Sequence, residues 1–142
     1  MDEKSNYTEN LKQVLFLAEK LAWTYGSSYI ASEHLLFAML VSPQSNAYKI
    51  LSAQGIKAEN YDGYFSRTID ENCNLKGFTP RTKHIIQNAE EMCDGVTKTE
   101  HLLLSITESY GCIAIRILRC MGADMVRLAK DIEYYINSEA EQ

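Results

Sequence analysis

The stretch Glu33-His34-Leu35-Leu36 decides the fold, because it occurs twice. It returns 67 residues later (100 − 33) as Glu100-His101-Leu102-Leu103. The same offset relates five further pairs: Ala47/Ala114, Ile50/Ile117, Leu51/Leu118, Gly55/Gly122 and Ile69/Ile136. Closer to the start of each copy, Tyr7-Thr8 matches Phe78-Thr79 at an offset of 71 (79 − 8). A duplication this long indicates two copies of one supersecondary unit, neither of which buries its apolar face alone.

Apolar residues recur at helical spacing through both copies, and strand signals are weak. The pattern predicts an all-α protein of about eight helices, arranged as two four-helix repeats related by a pseudo-two-fold axis. We expect one domain over residues 1–142, with repeat one at about 7–69, a linker at about 70–77 and repeat two at about 78–137. The predicted fourth helix of repeat one carries Tyr61, Tyr64, Phe65, Thr68 and Ile69.

Hydroxyl residues mark the predicted helix starts. Thr8 is placed to cap the first helix, and Thr79 precedes Pro80, a residue that suits the first helical position. Ser32 and Thr99 are expected to cap the two helices that carry the repeated motif. The change in offset from 71 to 67 predicts that repeat two loses four residues from its first helix or from the connection after it.

Composition and charge exclude several classes of protein. The formal net charge of −5 disfavours a nucleic-acid partner. No apolar run reaches the roughly 18 residues that cross a bilayer, and the N-terminus lacks the basic and apolar regions of a secretory signal. We therefore expect a cytoplasmic protein without a nucleic-acid or membrane partner.

Four cysteines, Cys73, Cys93, Cys112 and Cys120, have no C-x-x-C spacing. Free buried thiols are the expected state, with disulfides or one zinc site as the alternatives. The chain contains no P-loop and no H-E-x-x-H motif. His34 and His101 each follow a glutamate directly, and neighbouring helical residues point in different directions, so a structural role is expected. The sequence predicts no catalytic residue, no metal and no cofactor.

The segment Gly26–Leu40, which reads GSSYIASEHLLFAML, closely resembles the signature of the Clp N-terminal domain, the double-repeat module at the front of ClpA-, ClpB- and ClpC-type unfoldases. The second copy at 98–103, the Phe78-Thr79-Pro80-Arg81 start and the paired glycines Gly55 and Gly122 extend the resemblance over about residues 7–137. The start of repeat two looks most like the ClpC branch. The signature's Gly-Thr is Ala31-Ser32 here, and Asn10 occupies a position where arginine is common.

Four residues form the candidate ligand site: Thr8, Glu33, Thr79 and Glu100. One interpretation is purely structural, since a carboxylate in the first turn of a helix is stabilised by the helix dipole. The functional interpretation is that a helix start with a hydroxyl binds an anion, while a nearby glutamate accepts hydrogen bonds from a guanidinium. The resemblance to ClpC-type domains implies such a ligand, phosphoarginine on proteins marked for degradation. It places Thr8 with Glu33 and Thr79 with Glu100, as two equivalent sites that would give avidity.

Tyr7 and Phe78, directly before the two threonines, have two interpretations. Each is either a hydrophobic staple at its helix start or part of an exposed aromatic patch that contacts other proteins.

The expected function is a non-catalytic domain that binds substrates and adaptors for a Clp-type unfoldase and protease system, with a Clp ATPase ring as partner in cis or in trans. Two alternatives remain open. A free-standing regulator that docks on a Clp ATPase or protease fits a chain that begins with Met and ends soon after its last helix. An enzyme or metal protein built on the cysteines and histidines is the other.

Overall fold

Within residues 6–60 and 75–138, which the computed structural model describes, the chain forms seven α-helices and one short 3-10 helix, Ala58–Asn60. The α-helices are α1 Glu9–Thr24, α2 Ser32–Leu40, α3 Asn46–Ser52, α4 Pro80–Met92, α5 Thr99–Thr107, α6 Ile113–Cys120 and α7 Met125–Asn137. The all-α class is confirmed. The predicted fourth helix of repeat one and most of the predicted linker lie outside the described residues.

The starts of α1 and α4 follow the sequence prediction. The Thr8 hydroxyl accepts a hydrogen bond from the Leu11 N–H at 3.2 Å, and the Thr79 hydroxyl accepts one from the Thr82 N–H at 3.0 Å. Pro80 is the first residue of α4, where its missing N–H costs no intrahelical hydrogen bond. These caps depend on residues three apart in sequence, which is why sequence alone located them.

The four-residue difference between the repeats is divided between a helix and its connection. Helix α1 has 16 residues and α4 has 13. The connection to the next helix spans seven residues in repeat one, 25–31, and six in repeat two, 93–98. The deletion therefore shortens the outer helix by three residues and the connection by one, and both copies of the repeated motif remain helical.

Helices α2 and α5, which carry the repeated motif, form the centre of the core. Their paired leucines are at most 1% exposed: Leu35, Leu36, Leu102 and Leu103. Helix α1 packs on α2 and α4 packs on α5, while α2 also contacts α6 and α5 also contacts α3. Each repeat thus covers apolar surface of the other, which accounts for the duplication.

The hydroxyls of Ser32 and Thr99 correct one prediction. Neither caps its own helix, since the N-cap positions are Ala31 and Lys98. Instead, the buried Ser32 hydroxyl accepts a hydrogen bond from the Ala114 N–H at 3.1 Å, and the Thr99 hydroxyl accepts one from the Ala47 N–H at 3.2 Å. A backbone N–H in the first turn of a helix has no intrahelical acceptor. Each repeat therefore caps the third helix of the other.

Two backbone bridges join the repeats in the same reciprocal manner. Residue Tyr7 pairs with Thr97, and Ile30 pairs with Phe78, both in parallel orientation. In each bridge the segment entering the first helix of one repeat lies against the segment entering the second helix of the other. These bridges fix which helix starts are neighbours, and so they define the candidate site.

The described cysteines differ in exposure, which corrects the expectation that they are all buried. Cys112 is buried, Cys93 is partly buried and Cys120 is exposed at the end of α6, and all three thiols are free. Cys120 differs because it occupies the outer face of a helix whose buried stripe consists of Ala114, Ile115, Ile117 and Leu118. Cys73 lies outside the described residues.

No single helix in the two described ranges is long and apolar enough to cross a membrane. Thr99–Glu108 and Ile113–Cys120, bent by 91° at the break between them, meet that length and composition test only as a pair.

Candidate functional site

The backbone places each threonine at a helix start beside the glutamate-bearing helix of the other repeat. The Thr79 N–H donates to the Ile30 carbonyl at 3.1 Å, three residues before Glu33. The Thr8 N–H donates to the Thr97 carbonyl at 3.1 Å, three residues before Glu100. The four predicted residues therefore lie at two pseudo-equivalent junctions between the repeats.

The combination of residues at each junction differs from the expected one. The sequence-based interpretation paired each threonine with the glutamate of its own repeat, whereas the backbone contacts bring Thr79 next to the start of α2 and Thr8 next to the start of α5. We call the first the Thr79–Glu33 junction and the second the Thr8–Glu100 junction. Sequence separation gave no indication of this exchange, because it arises from how the two repeats dock.

Glu33, in the first turn of α2, is partly exposed as a residue, although its carboxylate Oε1 is buried. Burial raises the pKa of its carboxyl above the usual value, and a backbone hydrogen bond opposes that shift. A carboxylate that has lost part of its water shell gains more from a cationic ligand than a fully solvated one does. Glu33 is thus suited to accept hydrogen bonds from a guanidinium at the protein surface.

Glu100, the pseudo-equivalent residue in α5, is fully buried at 0% exposure. Its Oε2 accepts a hydrogen bond from the Asn46 amide at 3.1 Å, and its Oε1 accepts one from the Thr99 hydroxyl at 3.5 Å. Asn46 is itself 1% exposed and begins α3. The residue that corresponds to Asn46 in repeat two is Ile113, which has no side-chain donor. The two glutamates therefore occupy chemically different surroundings.

The helix starts at the two junctions also differ in charge. Helix α1 begins with Glu9 and Asn10, and α4 begins with Pro80 and Arg81. The Glu9 carboxylate is exposed and pairs with Lys12 at 3.3 Å. An anion is favoured at a helix N-terminus by the helix dipole and by unpaired N–H groups, and a carboxylate beside it opposes that attraction. The Thr79–Glu33 junction is therefore the more favourable for an anion.

Arg81 spans from this helix start to the loop between α5 and α6. Its guanidinium donates to the Ser109 hydroxyl at 3.2 Å and to the Tyr110 carbonyl at 2.9 Å. Asn10 makes the corresponding contact in repeat one, where its amide donates to the Gln44 carbonyl at 3.4 Å. Both residues tie a helix start to a loop, but only Arg81 adds positive charge.

The two repeated histidines are structural, as expected. The Nδ1 atoms of His34 and His101 accept hydrogen bonds from the N–H groups of Ala31 and Lys98, both at 2.9 Å. Each thus satisfies a backbone donor at the start of its helix, as the third residue of a capping box does. Burial lowers the pKa of His34 to about 4, and burial followed by the nearby Lys98 charge lowers the pKa of His101.

These depressed pKa values predict a loss of stability in mild acid. Below its ordinary pKa of 6.5, His34 takes up a proton in the unfolded chain but stays neutral in the folded protein until pH about 4. The unfolded state then binds more protons, so the free energy of unfolding falls as the pH drops through this window, by up to about 1.4 kcal/mol per pH unit for each such histidine. Glu33 shifts in the opposite direction and offsets part of the loss.

The measurement is urea unfolding at about pH 7 and about pH 5, with His34→Gln as the matched variant. Glutamine keeps an acceptor at the third helical position but does not titrate. We expect a smaller loss between the two pH values in the variant than in the original chain. An equal loss in both proteins would exclude His34 as its source.

Tyr7 and Phe78 lie at the junctions and are partly buried, so the interpretation that they contact other proteins stays a prediction. Both side chains are partly buried against the core, and the Tyr7 hydroxyl donates to the Glu90 carboxylate on α4. Neither forms a hydrophobic staple, because the fourth helical residues are Lys12 and Lys83. Their position instead follows from the two backbone bridges.

Asn46 and Arg81 were not assigned site roles from the sequence. Asn46 directly precedes the repeated Ala47, and its replacement by Ile113 in the second copy is the signal that marked a difference between the repeats. Arg81 is the last residue of the Phe78-Thr79-Pro80-Arg81 start of repeat two. Within residues 6–60 and 75–138, no three His, Cys, Asp or Glu side chains cluster as metal ligands.

Comparison with known proteins identifies the class. The family model of the Clp repeat (R) N-terminal domain matches residues 6–98, well over half of the chain. The chain therefore belongs to the Clp repeat N-terminal domain family, as its duplicated motif indicated.

Relatives with known names agree with this assignment. The chain is 27% identical over 143 residues to the ClpA homolog of Cyanidium caldarium, an ATP-binding subunit of an ATP-dependent Clp protease, and 23% identical to the chloroplastic chaperone ClpC of Pisum sativum. Both alignments cover 95% of this chain, but only 17% and 16% of the relatives. The chain thus spans about a sixth of the length of these relatives.

Solved structures share the fold. The N-terminal domain of ClpD from Arabidopsis thaliana superposes with a TM-score of 0.74 at 18% identity, over 93% of this chain and 98% of that one. The ClpV N-domain in complex with a VipB peptide superposes with a TM-score of 0.69 at 17% identity, over 100% and 96% of the two chains.

Proposed function

We propose that this chain is a non-catalytic domain that binds protein substrates and adaptors for a Clp-type ATP-dependent unfoldase. Membership in the Clp repeat N-terminal domain family supports this role. A ClpV N-domain of the same fold has been solved with a bound VipB peptide, so the fold can present a peptide-binding surface. A Clp ATPase ring is the proposed partner, in cis or in trans.

The proposed ligand group is phosphoarginine on a protein chain. The observation that carries this proposal is the Thr79–Ile30 backbone hydrogen bond, which brings an anion-accepting helix start beside the helix of Glu33. The phosphoryl group would lie at the N-terminus of α4, where the helix dipole and Arg81 supply positive potential. The guanidinium would then face Glu33, a residue that is partly exposed.

Isothermal titration with free phosphoarginine tests this function. We expect saturable binding with a Kd at or below about 1 mM, because each charge-assisted contact contributes a few kcal/mol at most and the ligand is small. Free arginine and inorganic phosphate are the controls, and each should bind at least about tenfold more weakly, since each retains one of the two charged ends. A folded protein that produces no binding heat at millimolar phosphoarginine would contradict the proposed ligand.

A further inference from the structure

The two junctions between the repeats are equivalent in topology but not in chemistry, and this difference bears on how many ligands the chain can hold. A duplicated fold suggests two equivalent sites. At the Thr8–Glu100 junction, however, both the glutamate and the helix start differ from their counterparts at the Thr79–Glu33 junction. These two differences are independent of each other.

At the Thr8–Glu100 junction, the carboxylate that would accept hydrogen bonds from a guanidinium is not accessible. Glu100 has no exposed surface, and its carboxylate is held by the buried Asn46 amide at 3.1 Å. The Thr99 hydroxyl accepts a hydrogen bond from the Ala47 N–H and so also holds the first turn of α3, in which Asn46 lies. To reach a ligand, Glu100 would have to leave a buried hydrogen bond to an amide that would then be unsatisfied.

The helix start at the same junction, the N-terminus of α1, is also unfavourable for binding an anion. The first residue of α1 is Glu9, whereas α4 begins with Pro80 and Arg81. A phosphoryl group at Thr8 would approach the exposed Glu9 carboxylate, which pairs with Lys12 at 3.3 Å. At the Thr79–Glu33 junction, Ile113 stands in place of Asn46 and Pro80 stands in place of Glu9.

We propose that this chain holds one phosphorylated guanidinium ligand, at the Thr79–Glu33 junction, and that Asn46 closes the second position by retaining Glu100 in the core. The inference rests on the proposed function for its ligand. Its consequence is that a single domain gains no avidity from a multiply marked substrate, so any avidity requires several copies of the domain on one assembly.

The stoichiometry of phosphoarginine binding, measured by isothermal titration and by native mass spectrometry, tests this. The original chain should bind one ligand, and Glu33→Gln should bind about 10- to 100-fold more weakly, with no site left at the original affinity. The variant Glu9→Pro/Asn10→Arg/Asn46→Ile gives the closed junction the residues of the open one, and should bind two. In the Glu33→Gln background the same three changes should restore one ligand.

A second variant guards against a folding defect in the triple variant. Asn46→Ala removes the amide that holds Glu100 and adds neither bulk nor charge to the core. Two ligands on the original chain, or one retained at the original affinity by Glu33→Gln, would overturn this inference and leave the proposed function intact. If folded Asn46→Ala and the triple variant both stay at one, Asn46 is not the closing residue. No binding by any folded variant overturns the proposed function and the inference with it.

Discussion

Removal of both hydroxyls that join the repeats, in the variant Ser32→Ala/Thr99→Val, is expected to lower the free energy of unfolding by about 2–6 kcal/mol. Each substitution leaves a buried backbone N–H, that of Ala114 or Ala47, without its acceptor. An unsatisfied buried donor costs about 1–3 kcal/mol, and the two sites lie in different helix pairs, so their effects should add approximately. A total stability of about 5–15 kcal/mol is typical, so this loss is large.

Urea unfolding followed by circular dichroism measures the effect. The matched control exchanges the two residues between the repeats, in Ser32→Thr/Thr99→Ser, and so keeps both hydroxyls. We expect the exchange to cost less than the loss of both hydroxyls, because both hydrogen bonds are kept and only one methyl group is added at one site and removed at the other. If the hydroxyl-free variant is no less stable than this control, the reciprocal caps do not hold the repeats together.

The second large effect concerns the ligand. Glu33→Gln is expected to weaken phosphoarginine binding by about 10- to 100-fold, because hydrogen bonds to a charged group contribute about 1.5–3 kcal/mol and every 1.4 kcal/mol is tenfold in Kd. Glutamine keeps the size and one acceptor oxygen but loses the charge. Its folded state should be intact, since Glu33 is only partly buried.

The measurement is isothermal titration of the variant beside the original chain, with Glu91→Gln as a control for loss of one negative charge. Glu91 is an exposed residue in the last turn of α4, about 15 Å along the helix axis from Arg81. We expect its Kd to change less than about twofold, as surface charges beyond a Debye length of about 8–10 Å are screened. Equal effects of the two substitutions would mean that net charge, and not the Glu33 carboxylate, controls binding.

Sequence alone identified the elements whose cause is local. The caps at Thr8 and Thr79 depend on residues three positions apart. The repeated Glu-His-Leu-Leu motif indicated one duplicated helical unit, and its paired leucines are buried in both copies. These features are encoded within one turn of chain or within one repeated pattern, so they could be inferred before any contact was known.

Contacts between the repeats were not predictable in the same way. Ser32 and Thr99 have the residue type and position of local caps, yet their partners are 82 and 52 residues away. Likewise, Glu33 and Glu100 look equivalent in the motif, and only the neighbouring Asn46 makes one of them an interior residue. These partners depend on how the two repeats pack against each other, and the sequence of one repeat does not indicate that packing.

Mapping of the backbone amide signals by NMR during a phosphoarginine titration tests the central claim most directly, that the ligand site is built between the repeats. The account predicts that the largest shifts fall together at the first turns of α4 and α2, at Arg81, Thr82, Glu33 and His34, with one common Kd. Shifts that join the first turn of α1 to that of α2, leaving α4 unchanged, would contradict it.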